Sequence, residues 1–210
     1  RVLYVAVAPA GRPRSLADAA EARPVRTLLR PPGVGAAEER REQFRTHVSR
    51  TLMRGEEIEI SARGPFAVQN VLHALSKAER TANFTVGWTG SGGGSCEGDH
   101  ALHFLAEPGP SWEEYMRRRA QNAQGLFVHR ETKVLPLARS IVHSLKDPGN
   151  EHVIRVHTYS DDEVAINILT KALATAPTLH AYRRLHCVPN IVRPPEGGRS
   201  RVIVYVQSTP

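Results

Sequence analysis

The chain repeats itself. Residues Ile58 to Leu75, "IEISARGPFAVQNVLHAL", read as a short strand, a basic turn and an amphipathic helix. About 97 residues later, "IRVHTYSDDEVAINILTKAL" (Ile154 to Leu173) reads the same way, with an acidic turn. In the first copy Ile58 and Ile60 alternate with polar residues, as on a half-buried strand. Pro65 suits the first turn of a helix, and Val68, Val71, Leu72 and Leu75 form one apolar stripe. Shifted by about 97, that stripe falls on Ala165, Ile168, Leu169 and Ala172. Ser160 is expected as the N-cap of the second helix, with Glu163 completing a capping box. A repeat of this length means two copies of one domain rather than a solenoid.

The flanking segments extend the repeat. "RVLYVAVAP" (1–9) reads as a strand, and the Pro-, Gly- and Arg-rich residues 10–35 as a long loop or partly disordered arm. Phe44, Val48, Thr51 and Leu52 mark a helix that Gly55 stops. "NFTVGWTG" and "HALHFLAEPG" read as strands around a Gly-rich turn. In the second half "GLFVHR" is a strand, and "ETKVLPLARSIVHSLKDPG" a helix with Leu137, Ile141 and Leu145 on one side. "EHVIRVHTY" is a strand before the acidic turn, and "LHAYRRLHCVPNIV" and "SRVIVYVQST" close the unit. The expected class is α+β, with β-α-β-α-β-β units at 1–109 and 125–210. Residues 110–124, with Trp112, Tyr115 and Met116, read as a connecting helix with one sticky face.

Charge narrows the partners. The formal net charge is +7, and of 28 basic residues 24 are Arg. A planar guanidinium grips phosphate with paired hydrogen bonds where Lys offers a point charge, so the bias fits a nucleic-acid partner; a GC-rich genome would produce the same bias. Two cysteines far apart, Cys96 and Cys187, make no disulfide framework and suit a reducing interior. No apolar run approaches the roughly 18 residues of a membrane helix. A start at Arg1 rather than Met reads as a processed or trimmed chain, and an Arg-rich chain of that kind fits the mitochondrial matrix.

The segment "EIEISARGPFAVQNVL", the order β-α-β-α-β-β, and the final "EGGRSRVIVYVQST" resemble the Alba family of small basic nucleic-acid-binding proteins. At the level of residues the likeness rests on Ala62–Gly64 and Gly197–Val202. The C-terminal domain of translation initiation factor three has a related topology. The resemblance implies two Alba-like domains forming a pseudo-dimer, and RNA or DNA binding through three parts of each: the loop after the first strand, the turn before the second helix, and the last hairpin. In the first copy these parts offer Arg12 and Arg14, then Arg63 and Gly64; the hairpin "GSGGGSCEGD" has two acids and no base. In the second copy Arg130 and Lys133 follow the first strand, and Arg183, Arg184, Arg193, Arg199 and Arg201 belong to the hairpin. Its turn, Tyr159-Ser160-Asp161-Asp162, should repel phosphate.

Catalytic signals are sparse. The Gly-rich segment lacks the GxxxxGK[ST] spacing of a phosphate loop, and no GxSxG is present. Cys96, His100 and His103 have ligand-like types but no partner motif. Acids at 161–163 read as a helix start rather than a metal trio. Trp88 and Trp112 read as packing residues before base-stacking ones. The sequence therefore points to a non-catalytic RNA-binding protein of a ribonucleoprotein assembly, without cofactor or metal and with other protein subunits as partners. The alternatives are a protein-interaction scaffold, a DNA- or chromatin-binding Alba-like protein, and, behind these, a nuclease.

Overall fold

The computed structural model describes residues 27–88, 101–119, 125–147, 153–179, 184–194 and 197–209. The first half runs β1 (Thr27–Leu29), α1 (Glu38–Met53), β2 (Ile58–Ala62), α2 (Pro65–Ser76), β3 (Ala82–Trp88) and β4 (Leu102–Pro108). Helix α3 (Trp112–Arg119) connects it to β5 (Gly125–Phe127), α4 (Val134–Lys146), β6 (Val153–Tyr159), α5 (Glu163–Leu179), β7 (Arg184–Val192) and β8 (Arg201–Thr209). The order β-α-β-α-β-β thus occurs twice.

All eight strands join one mixed sheet in the order β1-β2-β4-β3-β7-β8-β6-β5. Each half contributes its strands in the same internal order. The halves meet at their third strands, which pair antiparallel at Phe84 and Cys187. Helices α2 and α5 pack on each other across the same joint. Both central residues are buried, as are Val68, Val71, Leu72 and Leu75 of α2 and Ala165, Leu169 and Leu173 of α5. Each large apolar side chain removed from water in this way contributes roughly 1.5–3 kcal/mol. Burial pushes the Cys187 thiol far above its ordinary pKa, so it packs as a small apolar group.

Strand alternation divides the sheet into two faces. Ile58, Ile60, Phe104, Val156, Val202 and Val204 join the core under α1, α2, α4 and α5. On the other face α3 covers one patch of the second half, where Trp112, Tyr115, Val188, Ile203 and Tyr205 form a separate cluster with Tyr115 and Tyr205 edge to face at 5.7 Å. The connecting helix therefore spends its sticky side on the reverse face of the second half. Trp112 packs there and Trp88 against the main core, which accounts for both tryptophans as packing residues.

Helix α1 ends as its Gly predicts. Gly55 has φ 80°, its N–H donates to the Leu52 carbonyl, and the Glu56 N–H donates to that of Thr51, which together satisfy the last carbonyls of the helix.

Three expectations are corrected. The strand that opens the first repeat beside β2 is Thr27–Leu29, within a segment expected to be loop; the expected strand at 1–9 lies outside the described residues. Helix α5 is capped by Asp162, not Ser160. Asp162 Oδ1 accepts from the Ala165 N–H at 3.1 Å, and the Asp162 carbonyl accepts the first helical bond, from Ile166. Strand β6 runs on to Tyr159, so Ser160 and Asp161 are spent on the turn, and Glu163 is the first helical residue rather than the far partner of a capping box. The helix caps Gly64 and Asp162 then set the repeat offset at 98 rather than 97. At that offset the buried pairs are Ala67/Ala165, Val68/Ile166, Val71/Leu169 and Leu75/Leu173.

Candidate nucleic-acid interface

Strands β5 and β6 are parallel, and β8 pairs antiparallel with β6 from Val153–Gln207 to Tyr159–Arg201. The loop after β5, the turn after β6 and the β7–β8 hairpin therefore gather at one end of the sheet. Alternation then decides which side chains meet. Leu126, Val156, Val202 and Val204 face the core, so Phe127, His157, Tyr159 and Arg201 stand on the reverse face.

They form a compact aromatic and basic cluster. The Phe127 ring lies 4.5 Å from His129, 5.0 Å from His157 and 5.3 Å from Tyr159, centroid to centroid. The Arg201 guanidinium lies 5.9 Å from the Phe127 centroid, and that of Arg199 stacks 4.0 Å from the Tyr159 centroid. Burial, then Arg201 and Arg155, hold the His157 pKa below the ordinary imidazole value. His157 therefore sits beside these arginines as a neutral ring at neutral pH.

The acids of the turn do not face outward alone. Asp161 binds Arg199 through two contacts, Nη2 to Oδ1 at 2.7 Å and Nε to Oδ2 at 3.3 Å. That bond keeps the Asp161 carboxyl below its usual range. Asp162, besides capping α5, accepts from Nε and Nη2 of Arg130 on one oxygen, both at 3.4 Å. The two carboxylates of the turn expected to repel phosphate are engaged by arginines of the neighbouring loop and hairpin.

The turn itself is held from two sides. The Ser160 N–H donates to the Ser200 carbonyl at 2.9 Å, continuing the β6–β8 ladder by one rung. The Ser160 carbonyl accepts from Gln69 Nε2 at 2.8 Å and lies 3.1 Å from His73 Nε2, both on α2 of the first half. Burial lowers the His73 pKa although this hydrogen bond opposes the shift, so at neutral pH the ring serves as a neutral N–H donor.

The first half brings fewer of its expected residues together. Arg63 is exposed at the end of β2, next to Gly64, which has φ 82° and caps α2 without a side-chain bond. Only a residue without Cβ takes that backbone shape cheaply. Arg12 and Arg14 lie outside the described residues, and the loop after β1 carries Arg30 instead, a base the sequence reading missed because it placed β1 too early. The reverse face of this half holds a close His103–Glu59 pair, Nε2 to Oε1 at 2.6 Å, with Ser61 beside it.

Topology splits the remaining residues. Because β3 and β7 are antiparallel, the Arg63 end and the Arg199 end lie at opposite ends of the sheet. Lys133 is exposed at the start of α4, near Arg130, and Arg193 is exposed just after β7. Arg184 does not belong to the hairpin. It opens β7 and pairs with Thr209, a full nine-residue strand from the turn, roughly 26 Å away. Arg183 lies outside the described residues.

Other candidate sites are poor. Among the described residues no three His, Cys, Asp or Glu are placed to hold a metal ion, and His103 is engaged by Glu59; Cys96 and His100 lie outside them. A concavity of about 430 Å³ runs along α1 between Glu39 and Arg50 and shares no residue with either end. No described helix is long and apolar enough to cross a membrane. No protein-family model matches the chain, and comparison with curated proteins and with solved structures gives no significant match.

Proposed function

We propose that this chain is a non-catalytic RNA-binding protein built from two Alba-like units that form a pseudo-dimer, and that it works within a ribonucleoprotein assembly. The observation that carries the reading is the gathering of Arg130, Lys133, Arg193, Arg199 and Arg201 with four aromatic or imidazole rings at one end of the sheet. Arginines on a hairpin and an adjacent loop follow a phosphate backbone and release its counterions, and rings on the open sheet face offer surfaces to bases. The repeated strand order and the antiparallel joint at β3–β7 support a fused pair of like units. Arg63 and Gly64, at a helix start without a side-chain cap, provide a second, smaller contact at the far end.

A salt titration of RNA binding tests this. Replacing Arg193 and Arg201 together with Ala should weaken binding and lower the slope of log K against log salt by about 1.5 to 2 units if both touch phosphate. An unchanged slope moves the site elsewhere. The pairing of Asp161 and Asp162 with Arg199 and Arg130 favours one alternative, a scaffold that meets proteins rather than RNA. Absence of RNA binding even at low salt would select it.

A further inference from the structure

We infer that Tyr159, Arg199 and Asp161 form a stacking shelf for an unpaired base, so that the ligand of this end is single-stranded rather than duplex RNA; this rests on the RNA-binding reading above. Arg199 is not arranged as a phosphate hook. Its guanidinium lies 4.0 Å over the Tyr159 ring, and one edge is fastened to both oxygens of Asp161. The carboxylate offsets much of its charge toward a second anion, while the fastening fixes its plane. Arg199 and Asp161 have side chains 54% and 63% exposed, so the shelf is open to solvent. What remains to a ligand is the outer flat face of the guanidinium, extending the tyrosine surface by one layer.

The support below the shelf is rigid. Phe127 meets Tyr159 at 72°, an edge-on contact that braces the ring, and His157 braces Phe127 at 85° in turn. The Ser160–Ser200 backbone bond fixes the separation of the turn and the hairpin, which sets Asp161 opposite Arg199. A stacked guanidinium accepts the face of any base, and only a base freed from pairing and stacking in a helix presents that face. Arg201 lies beside the Phe127 ring that braces the shelf and Arg130 holds the neighbouring Asp162, where the adjoining phosphates would pass.

The substitutions that separate stacking from phosphate binding are Arg199→Lys, Arg199→Ala, Tyr159→Leu and Asp161→Asn. The full chain is titrated with a labelled single-stranded RNA of mixed sequence and with its duplex, with a thermal melt as the folding control. The unsubstituted chain should prefer the single strand. Arg199→Lys should lose as much affinity as Arg199→Ala, about tenfold, because Lys keeps the charge and loses the plane. Neither change should move the salt slope by more than about half a unit. Tyr159→Leu should lose a similar factor, and Asp161→Asn should weaken binding by releasing the guanidinium. If Arg199→Lys binds like the unsubstituted chain, or Asp161→Asn binds more tightly, Arg199 is a phosphate contact and the shelf is wrong, while the RNA-binding reading stands. Equal affinity for duplex and single strand also overturns the shelf. If neither RNA binds, the broader reading falls and takes the shelf with it.

Discussion

The two ends of the sheet come from the same order of elements and finish in opposite ways. At the first end the turn into α2 is Arg63-Gly64, closed by a glycine at φ 82° and leaving the helix start without a side-chain cap. At the second end the equivalent residues are Asp161 and Asp162; one fastens Arg199 and the other caps α5 and holds Arg130. The reverse faces differ in the same sense. Leu28, Glu59, Ser61 and His103 occupy the first, and Phe127, His157, Tyr159 and Arg201 the second. A symmetric dimer must carry one turn twice. A fused pair can give one end a basic turn closed by glycine and the other an acidic, aromatic turn whose carboxylates are held by arginines.

The second end also draws on the first half. Gln69 and His73 of α2 hold the Ser160 carbonyl, so the acidic turn is anchored across the joint as well as by its own hairpin. At the offset of 98 their counterparts in α5 are Asn167 and Lys171. Both helices therefore carry N–H donors at these two positions, and they differ in chemistry: an amide and an imidazole in α2, an amide and an amine in α5.

Four experiments test how the two halves differ and what joins them. The largest effect is expected at the joint. Phe84→Ala removes a fully buried ring that packs on Phe104 at 5.8 Å and lies opposite Cys187; it should cost about 3–5 kcal/mol in denaturant unfolding. One cooperative transition would show that the halves stand or fall together, and two would show that they do not.

Arg63→Ala tests the first end. A charge-assisted contact to RNA there predicts a loss of about 1–2 kcal/mol of affinity, read by titration. No loss would leave the second end as the whole interface. Asp162→Ala tests the second. It removes the α5 cap and should cost about 1 kcal/mol of stability in a thermal or denaturant melt. Ser160→Ala, which leaves that cap in place, should cost clearly less.

The smallest effect is in pH. His73 and His157 both have pKa values lowered from 6.5, first by burial. The unfolded chain then binds protons more readily than the folded one. Their contribution to stability is full above about pH 6.5 and is lost as the pH falls through the folded values. The melting temperature should drop on acidification from neutral pH, and His73→Gln, which keeps an N–H donor, should drop less. An equal drop would remove His73 from the account.

Much of the fold is legible in the sequence because burial leaves a period. The stripe of α2 and the alternation of β2 are visible without a structure, as is the stop at Gly55. What escapes is set by distant partners. Strand β1 is three residues long and is defined by its pairing with β2, so it has too few positions to show alternation. The Asp162 cap depends on where β6 ends, which the ladder with β8 decides. Arg184 looks adjacent to the hairpin in a run of bases, but the strand carries it to the other end. The stacking of Arg199 on Tyr159 joins residues far apart in the chain, and no local pattern announces it.

The short outer strands have a consequence for self-association. Among the described residues the sheet ends at β1 and β5, each three residues long. An edge strand exposes unpaired N–H and C=O groups that can recruit a strand from another molecule. Three residues offer too short a row for lasting recruitment, so a sheet of eight strands stops growing at both margins. The inner margins of the two halves, β3 and β7, are paired with each other and are not edges of the sheet.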